Sequence, residues 1–174
     1  MKTTGMVRRV DSLGRIVIPK EIRKVLKIKE NEQVEINVSG DEIILNRYSE
    51  LDEYDSSLKN LIDLISDIYN LDILLTNLNN FKLTSKKYQY LENKEISPYL
   101  SSILENRRDV MEKSRILISL NSGEKDIEAS YNIKTIIING DTVGLIIYLT
   151  DNNINVIDPK IFELVDSYLE KYLE

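Results

Sequence analysis

Residues 1–50 hold four short β-rich stretches and one short helical stretch, and the whole chain contains neither a cysteine nor a histidine to staple them. "MVRRV" (6–10) and "RIVIP" (15–19) are rich in β-branched and apolar residues, and "DSLG" between them offers a turn. Pro19 ends the second stretch and stands where a helix can start. In "KEIRKVLKI" (20–28), Ile22, Val25 and Leu26 fall at i, i+3 and i+4 and so share a face, while Lys20, Arg23, Lys24 and Lys27 take the rest of the circumference. "QVEINV" (33–38), with Val34, Ile36 and Val38 alternating inward, and "EIILNRY" (42–48) read as strands joined by Ser39-Gly40-Asp41. A module of about fifty residues without disulfide or metal hides only a modest share of its apolar surface and is marginal alone. Two copies that interleave their hairpins into one closed barrel would complete the core and cover the strand edges. The first module is therefore expected to be a homodimer.

After Tyr48 the period changes. Leu51, Tyr54, Leu58, Leu61, Ile62, Ile65, Ile68 and Tyr69 recur at spacings of three and four, which predicts a helix across 51–70. "LDILLTNL" (71–78) and "FKLTSKK" (81–87) read as strands around an Asn79-Asn80 turn. A helix is expected over 97–110, with Ser97 as N-cap and Pro98 in its first turn. Strands at 115–121, 127–139 and 143–150 follow, with Asn139-Gly140-Asp141 as the sharpest turn signal, and a helix over 158–174 closes the chain. This order predicts an α+β fold, an antiparallel sheet with flanking helices. The expected domains are 1–50 and 51–174. The linker in "RYSELDEYD" (47–55) has no Gly or Pro, so the two modules are expected to be coupled.

Composition removes whole classes of function. Without Cys and His there are no disulfides, thiol nucleophiles, imidazole acid/base groups or Cys/His zinc sites, and no other acid, base and nucleophile set converges, so the chain is read as a non-enzyme. "DNNINVID" (151–158) resembles the start of a calcium loop but lacks the glycine at its sixth place and the glutamate at its twelfth, where Phe162 stands. "GDTVG" is followed by Leu145 rather than a phosphate-binding lysine. No metal or cofactor is assigned. The apolar stretches fall short of the roughly 20 residues of a membrane span, and "MKTTGMVRRV" lacks a secretory apolar run, so the expected address is the cytoplasm.

Charge is unevenly placed. The chain is acidic, at −6, yet residues 1–50 carry ten Lys or Arg against eight Asp or Glu, and residues 51–174 thirteen against twenty-one. Within the first 29 residues nine basic side chains face only two acids. Arg8 and Arg9 lie in the first strand, Arg15 flanks the second, and Arg23 and Lys24 are on the helix, so three elements present cations. Guanidinium arms suit phosphate oxygens and guanine edges. One short helix excludes a helix-turn-helix, and there is no long basic helix. The candidate DNA-binding residues are Arg8, Arg9, Arg15, Arg23 and Lys24.

"TGMVRRVDSLGRIVIPKEIRKVLKI", followed by "EQVEINVSGDEIILNRY", resembles the DNA-binding domain of the AbrB/SpoVT family of bacterial transition-state regulators across residues 3–48. The family's Gly, Arg, Asp-x-x-Gly-Arg and Val-Ile-Pro positions are present without a gap. The resemblance implies a swapped-hairpin barrel formed by two chains, with double-stranded DNA contacted at Arg8, Arg15, Arg23 and Lys24. Lys24 departs from the usual arginine, and Arg9 is more often lysine. The second half, with "IIINGDTVGLIIYLTD" before a terminal helix, is similar to the GAF-like domain of sporulation regulators of this family. That implies a homotetramer completed through the C-terminal domains; the domain either holds a small-molecule effector between sheet and helices or serves a structural role without ligand, and the cyclic-nucleotide motif of some GAF domains is missing. AbrB-like barrels also serve as toxin antidotes, so an antitoxin-like or assembly module with a protein partner is the alternative reading.

Overall fold

A computed structural model describes residues 6–26, 28, 34–47 and 56–173. The chain divides into two compact units, Met1–Tyr48 and Ser49–Glu174, and the architecture is α+β with antiparallel sheets.

In the first unit, α1 (Lys20–Val25) precedes a hairpin of β1 (Val34–Ser39) and β2 (Glu42–Arg47). Ser39 pairs with Glu42, and Gly40 takes φ +60° in the turn, a conformation that costs glycine little. Ile36 faces Leu45 and Val38 faces Ile43 across the ladder, so these four side chains line one face of the hairpin. Pro19 acts as the N-cap of α1 rather than its first helical residue, and its carbonyl accepts from the Arg23 amide at 3.0 Å.

The expected strands at 6–10 and 15–19 differ from the structure. The turn between them forms, but among the described residues neither stretch joins a ladder. The two stretches meet through the bond that closes their loop, from the Asp11 amide to the Arg15 carbonyl, and residues 6–17 are exposed, so little apolar burial within the single unit holds a ladder together. The expected inward stripe of α1 is likewise incomplete, with Ile22 half-buried while Val25 and Leu26 are exposed. Lys27, Gln33 and Tyr48 lie outside the described residues, as does the linker at 48–55 with Leu51 and Tyr54.

The second unit builds one five-stranded sheet. Its elements are α2 (Ser56–Tyr69), β3 (Asp72–Thr76), β4 (Phe81–Thr84), a 3-10 turn (Lys86–Leu91), α3 (Pro98–Asn106), β5 (Val110–Ile118), β6 (Ile127–Ile138), β7 (Asp141–Thr150), a short 3-10 turn (Ile154–Val156) and α4 (Pro159–Leu173). The strand order is β4-β3-β7-β6-β5, antiparallel throughout. Alternation along β7 separates two cores: Leu145, Ile147 and Leu149 meet Leu100 and Ile103 of α3 with Tyr88 and Leu91, while Ile146 and Tyr148 meet α2 and α4. The sheet is thus covered on both faces around β7 and β3, while most of β5 stays exposed.

Local signals explain the element ends. Ser97 caps α3, accepting from the Leu100 amide at 3.2 Å, and Pro98 occupies the first turn. Asn139 and Gly140 take φ +51° and +86°, the left-handed pair that a tight two-residue hairpin turn needs. Three expectations shift. The strand expected over 81–87 ends at Thr84, and Lys86 and Lys87 instead open a 3-10 turn that runs to Leu91 and buries Tyr88 and Leu91 three residues apart. The third helix stops at Asn106 because Arg107 turns left-handed at φ +47°, and β5 then begins at Val110, five residues before the expected start. In "DNNINVID", Asn153 caps the second 3-10 turn, and Asp158 accepts from the Lys160 amide at the start of α4.

Candidate nucleic-acid interface

The tightest local structure among the candidate cations is the loop between Asp11 and Arg15. The Asp11 amide donates to the Arg15 carbonyl at 3.0 Å, and the Gly14 amide donates to the Asp11 carbonyl at 3.0 Å. Gly14 sits at φ +77°, so a three-residue loop closes with glycine in the left-handed position that such hairpins favour. The Asp11 side chain holds the loop from within: its Oδ1 accepts from the amides of Leu13 and Arg15, both at 2.9 Å.

Its second oxygen is engaged as well. Arg15 Nε donates to Asp11 Oδ2 at 2.8 Å, an ion pair with the arginine side chain 71% exposed. The Arg15 backbone amide, then its guanidinium, hold the Asp11 carboxyl below the usual carboxylate range. The sequence places Asp11 in the turn of "DSLG" but does not pair it with Arg15, although Asp-x-x-Gly-Arg puts aspartate and arginine on either side of one tight loop.

The other candidates differ from Arg15. Arg8 Nη1 donates to the neighbouring Val7 carbonyl at 3.2 Å, and both Arg8 and Arg9 are exposed. Arg23 is half-buried on α1, its Nε shielded and without a hydrogen-bond acceptor, while Lys24 beside it is exposed. Among the described residues only Arg15 of these five is paired with a carboxylate. The cations sit before the loop, after it and on α1, in a unit where Pro19 is the one buried residue of those described.

The second unit offers a different feature. A cleft of about 460 Å³ opens between the β6–β7 hairpin and α4, with Ile136, Ile146 and Leu169 on its apolar side and Lys134, Asp166 and Glu170 on its polar side. No described helix is long and apolar enough to cross a membrane.

Comparison with known proteins divides the chain similarly. A family model described as "Antidote-toxin recognition MazE, bacterial antitoxin" matches residues 7–50, and one described as "Stage V sporulation protein T C-terminal, transcription factor" matches residues 45–174. Stage V sporulation protein T of Bacillus subtilis (strain 168) is 35% identical over 178 residues, spanning 100% of this chain and 99% of that protein. The transition state regulatory protein AbrB of the same organism is 54% identical over 48 residues, 28% of this chain and 50% of AbrB. The solution structure of the N-terminal DNA recognition domain of B. subtilis AbrB is 53% identical, covers 28% of this chain and 92% of that one, and has a TM-score of 0.25. Matched over its second unit by that family model and over its full length by that relative, the chain belongs to the stage V sporulation protein T family of transcription factors.

Proposed function

We propose that two copies of the first unit interleave as a swapped-hairpin barrel and bind double-stranded DNA through Arg8, Arg9, Arg15, Arg23 and Lys24, regulating sporulation genes in the cytoplasm. One observation carries this reading: the hairpin face formed by Ile36, Val38 and Ile43 is 65, 76 and 64% exposed in the single chain. Burying an aliphatic side chain of this size contributes about 1.5–3 kcal/mol. A second copy is the occupant that fits, because it brings the same face and the strand edges that residues 6–10 and 15–18 leave unpaired. The segment shared with AbrB is the part of that protein described as its DNA recognition domain, which supports nucleic acid as the ligand of the cations.

If each copy presents four cations to phosphates, the dimer neutralises about eight, and the log-log salt slope is about −7. Affinity drawn from phosphates and DNA deformability tolerates varied, AT-rich sequences. The second unit joins dimers into a homotetramer. Leu64 and Ile68 on α2 and Leu164 on α4 stand 56, 62 and 54% exposed on helices that pack against one sheet face, and they suit a bundle with another copy. The cleft beside α4, apolar on one side and charged on the other, suits a small polar effector.

Replacing Arg15 or Arg23 by Ala should weaken binding to an AT-rich duplex by about tenfold or more in fluorescence anisotropy, with association state unchanged. Unaltered affinity in both variants would refute the assignment. The match to the MazE description supports a second reading, in which the barrel neutralises a toxin. Co-purification of a small toxic protein, with no DNA binding, would favour it over the first.

A further inference from the structure

We infer that Asp11 is a positioning residue for the DNA contact of Arg15; this rests on the DNA-binding reading above. Asp11 uses its two oxygens for two tasks. Oδ1 takes the Leu13 and Arg15 amides and so fixes the loop, while Oδ2 takes Arg15 Nε at 2.8 Å. A residue that only shaped the turn would need one acceptor, which asparagine or serine also supplies. The second oxygen acts on the guanidinium instead.

Its effect follows from the shape of arginine. With Nε engaged, the edge that remains is the one bearing Nη1 and Nη2, and no described residue accepts from either nitrogen. That edge is a planar fork, matched to a partner with two adjacent acceptors, such as phosphate oxygens or the O6 and N7 of guanine. The side chain is 71% exposed and would otherwise sample many rotamers; the Asp11 contact selects one before DNA arrives. A carboxylate close to DNA also repels phosphate. Asp11 opposes this by directing Oδ1 to two backbone amides and Oδ2 to a cation, which leaves little of its charge unpaired. Preorganisation then outweighs repulsion. Arg8, Arg9 and Lys24 have no such partner among the described residues.

The test is a double-mutant cycle in the full chain, using Asp11→Asn, Arg15→Ala and the pair, read by anisotropy on one AT-rich duplex. Asparagine keeps the Oδ1 acceptor for the loop but cannot take Arg15 Nε if its amide nitrogen replaces Oδ2. Asp11→Asn should weaken binding about tenfold when Arg15 is present and less than about twofold when it is absent, with melting temperature and association state unchanged. The Arg15 Nε–H should also exchange faster with solvent by NMR. Asp11→Ser, which keeps one acceptor, should repeat the pattern should the asparagine variant misfold. Equal losses with and without Arg15 would show that Asp11 only shapes the loop, and tighter binding by Asp11→Asn would show that repulsion dominates; either overturns the inference. If Arg15→Ala itself binds normally, the DNA-contact assignment of Arg15 fails first.

Discussion

Tyr148 donates its hydroxyl to Asp166 Oδ1 at 2.6 Å, and Lys134 Nζ meets the other oxygen of the same carboxylate at 2.6 Å. The three residues come from β7, α4 and β6, so one carboxylate fastens the closing helix to two neighbouring strands. Tyr148 also lies edge-on to Phe162 of α4, with ring centroids 4.8 Å apart at 85°. Apolar packing sets how closely α4 approaches the sheet; the polar triad fixes its rotation and register.

Removing Asp166 should therefore cost more than removing either donor's contact alone. Asp166→Ala leaves the Tyr148 hydroxyl buried without an acceptor and Lys134 without its counter-charge, an expected loss of about 2–3 kcal/mol. Tyr148→Phe removes the hydroxyl and leaves the ion pair in place, an expected loss of about 1 kcal/mol. Urea denaturation of both variants reads the ordering through their midpoints at constant slope. Equal losses would mean that Lys134 adds nothing to the attachment of α4.

Tyrosine burial gives the second unit an alkaline limit. Burial raises the hydroxyl of Tyr88 to about 12 and raises Tyr148 and Tyr131 further, with Asp166 and Tyr99 as secondary causes. In the unfolded chain tyrosine ionises near pH 10. Between these values the unfolded state loses protons that the folded state keeps, so stability is full below about pH 10 and falls as pH rises toward 12. The urea midpoint should hold steady up to about pH 9 and drop across this window, and Tyr88→Phe should lessen the drop. A midpoint flat to pH 12 would show these hydroxyls ionising in the folded protein as freely as in water.

How much could be read in advance depends on whether the signal was local. Ser97 with Pro98, and Asn139 with Gly140, fix an end or a turn by their own backbone chemistry, and both stand in the structure as their sequence implies. The alternation of Leu145 to Leu149 likewise belongs to one strand between two covered faces. The end of "FKLTSKK" departs from a strand at Lys86 and Lys87 because Tyr88 and Leu91, just beyond it, are placed by the core they fill, which no pattern within 81–87 announces. Strand signals at 6–10 and 15–19 name a propensity that, among the described residues, no ladder realises, because side chains 6–17 are exposed and bury little against the rest of the unit. At the candidate site, residue type and position sufficed to nominate five cations. The pairing of Asp11 with Arg15 is not legible in the spacing, since only a closed loop turns a spacing of four into a contact of 2.8 Å.

The uncovered hairpin face gives the most direct test of association. In a lone chain Val38 is 76% exposed, so Val38→Asp there should change stability by no more than about 0.5 kcal/mol. Between two copies the same aspartate would be a desolvated, unpaired charge facing apolar neighbours, which costs several kcal/mol. For the proposed homotetramer, light scattering after size-exclusion chromatography should show the mass falling by half, from four copies to two, if the contact through the first unit is lost and the one proposed through the second is kept. DNA affinity should fall with it, because cations from two copies no longer share a surface. Glu35→Ala, on the opposite face of β1, should leave both mass and affinity unchanged. If Val38→Asp behaves like Glu35→Ala, no second copy covers this face, and the barrel must be abandoned.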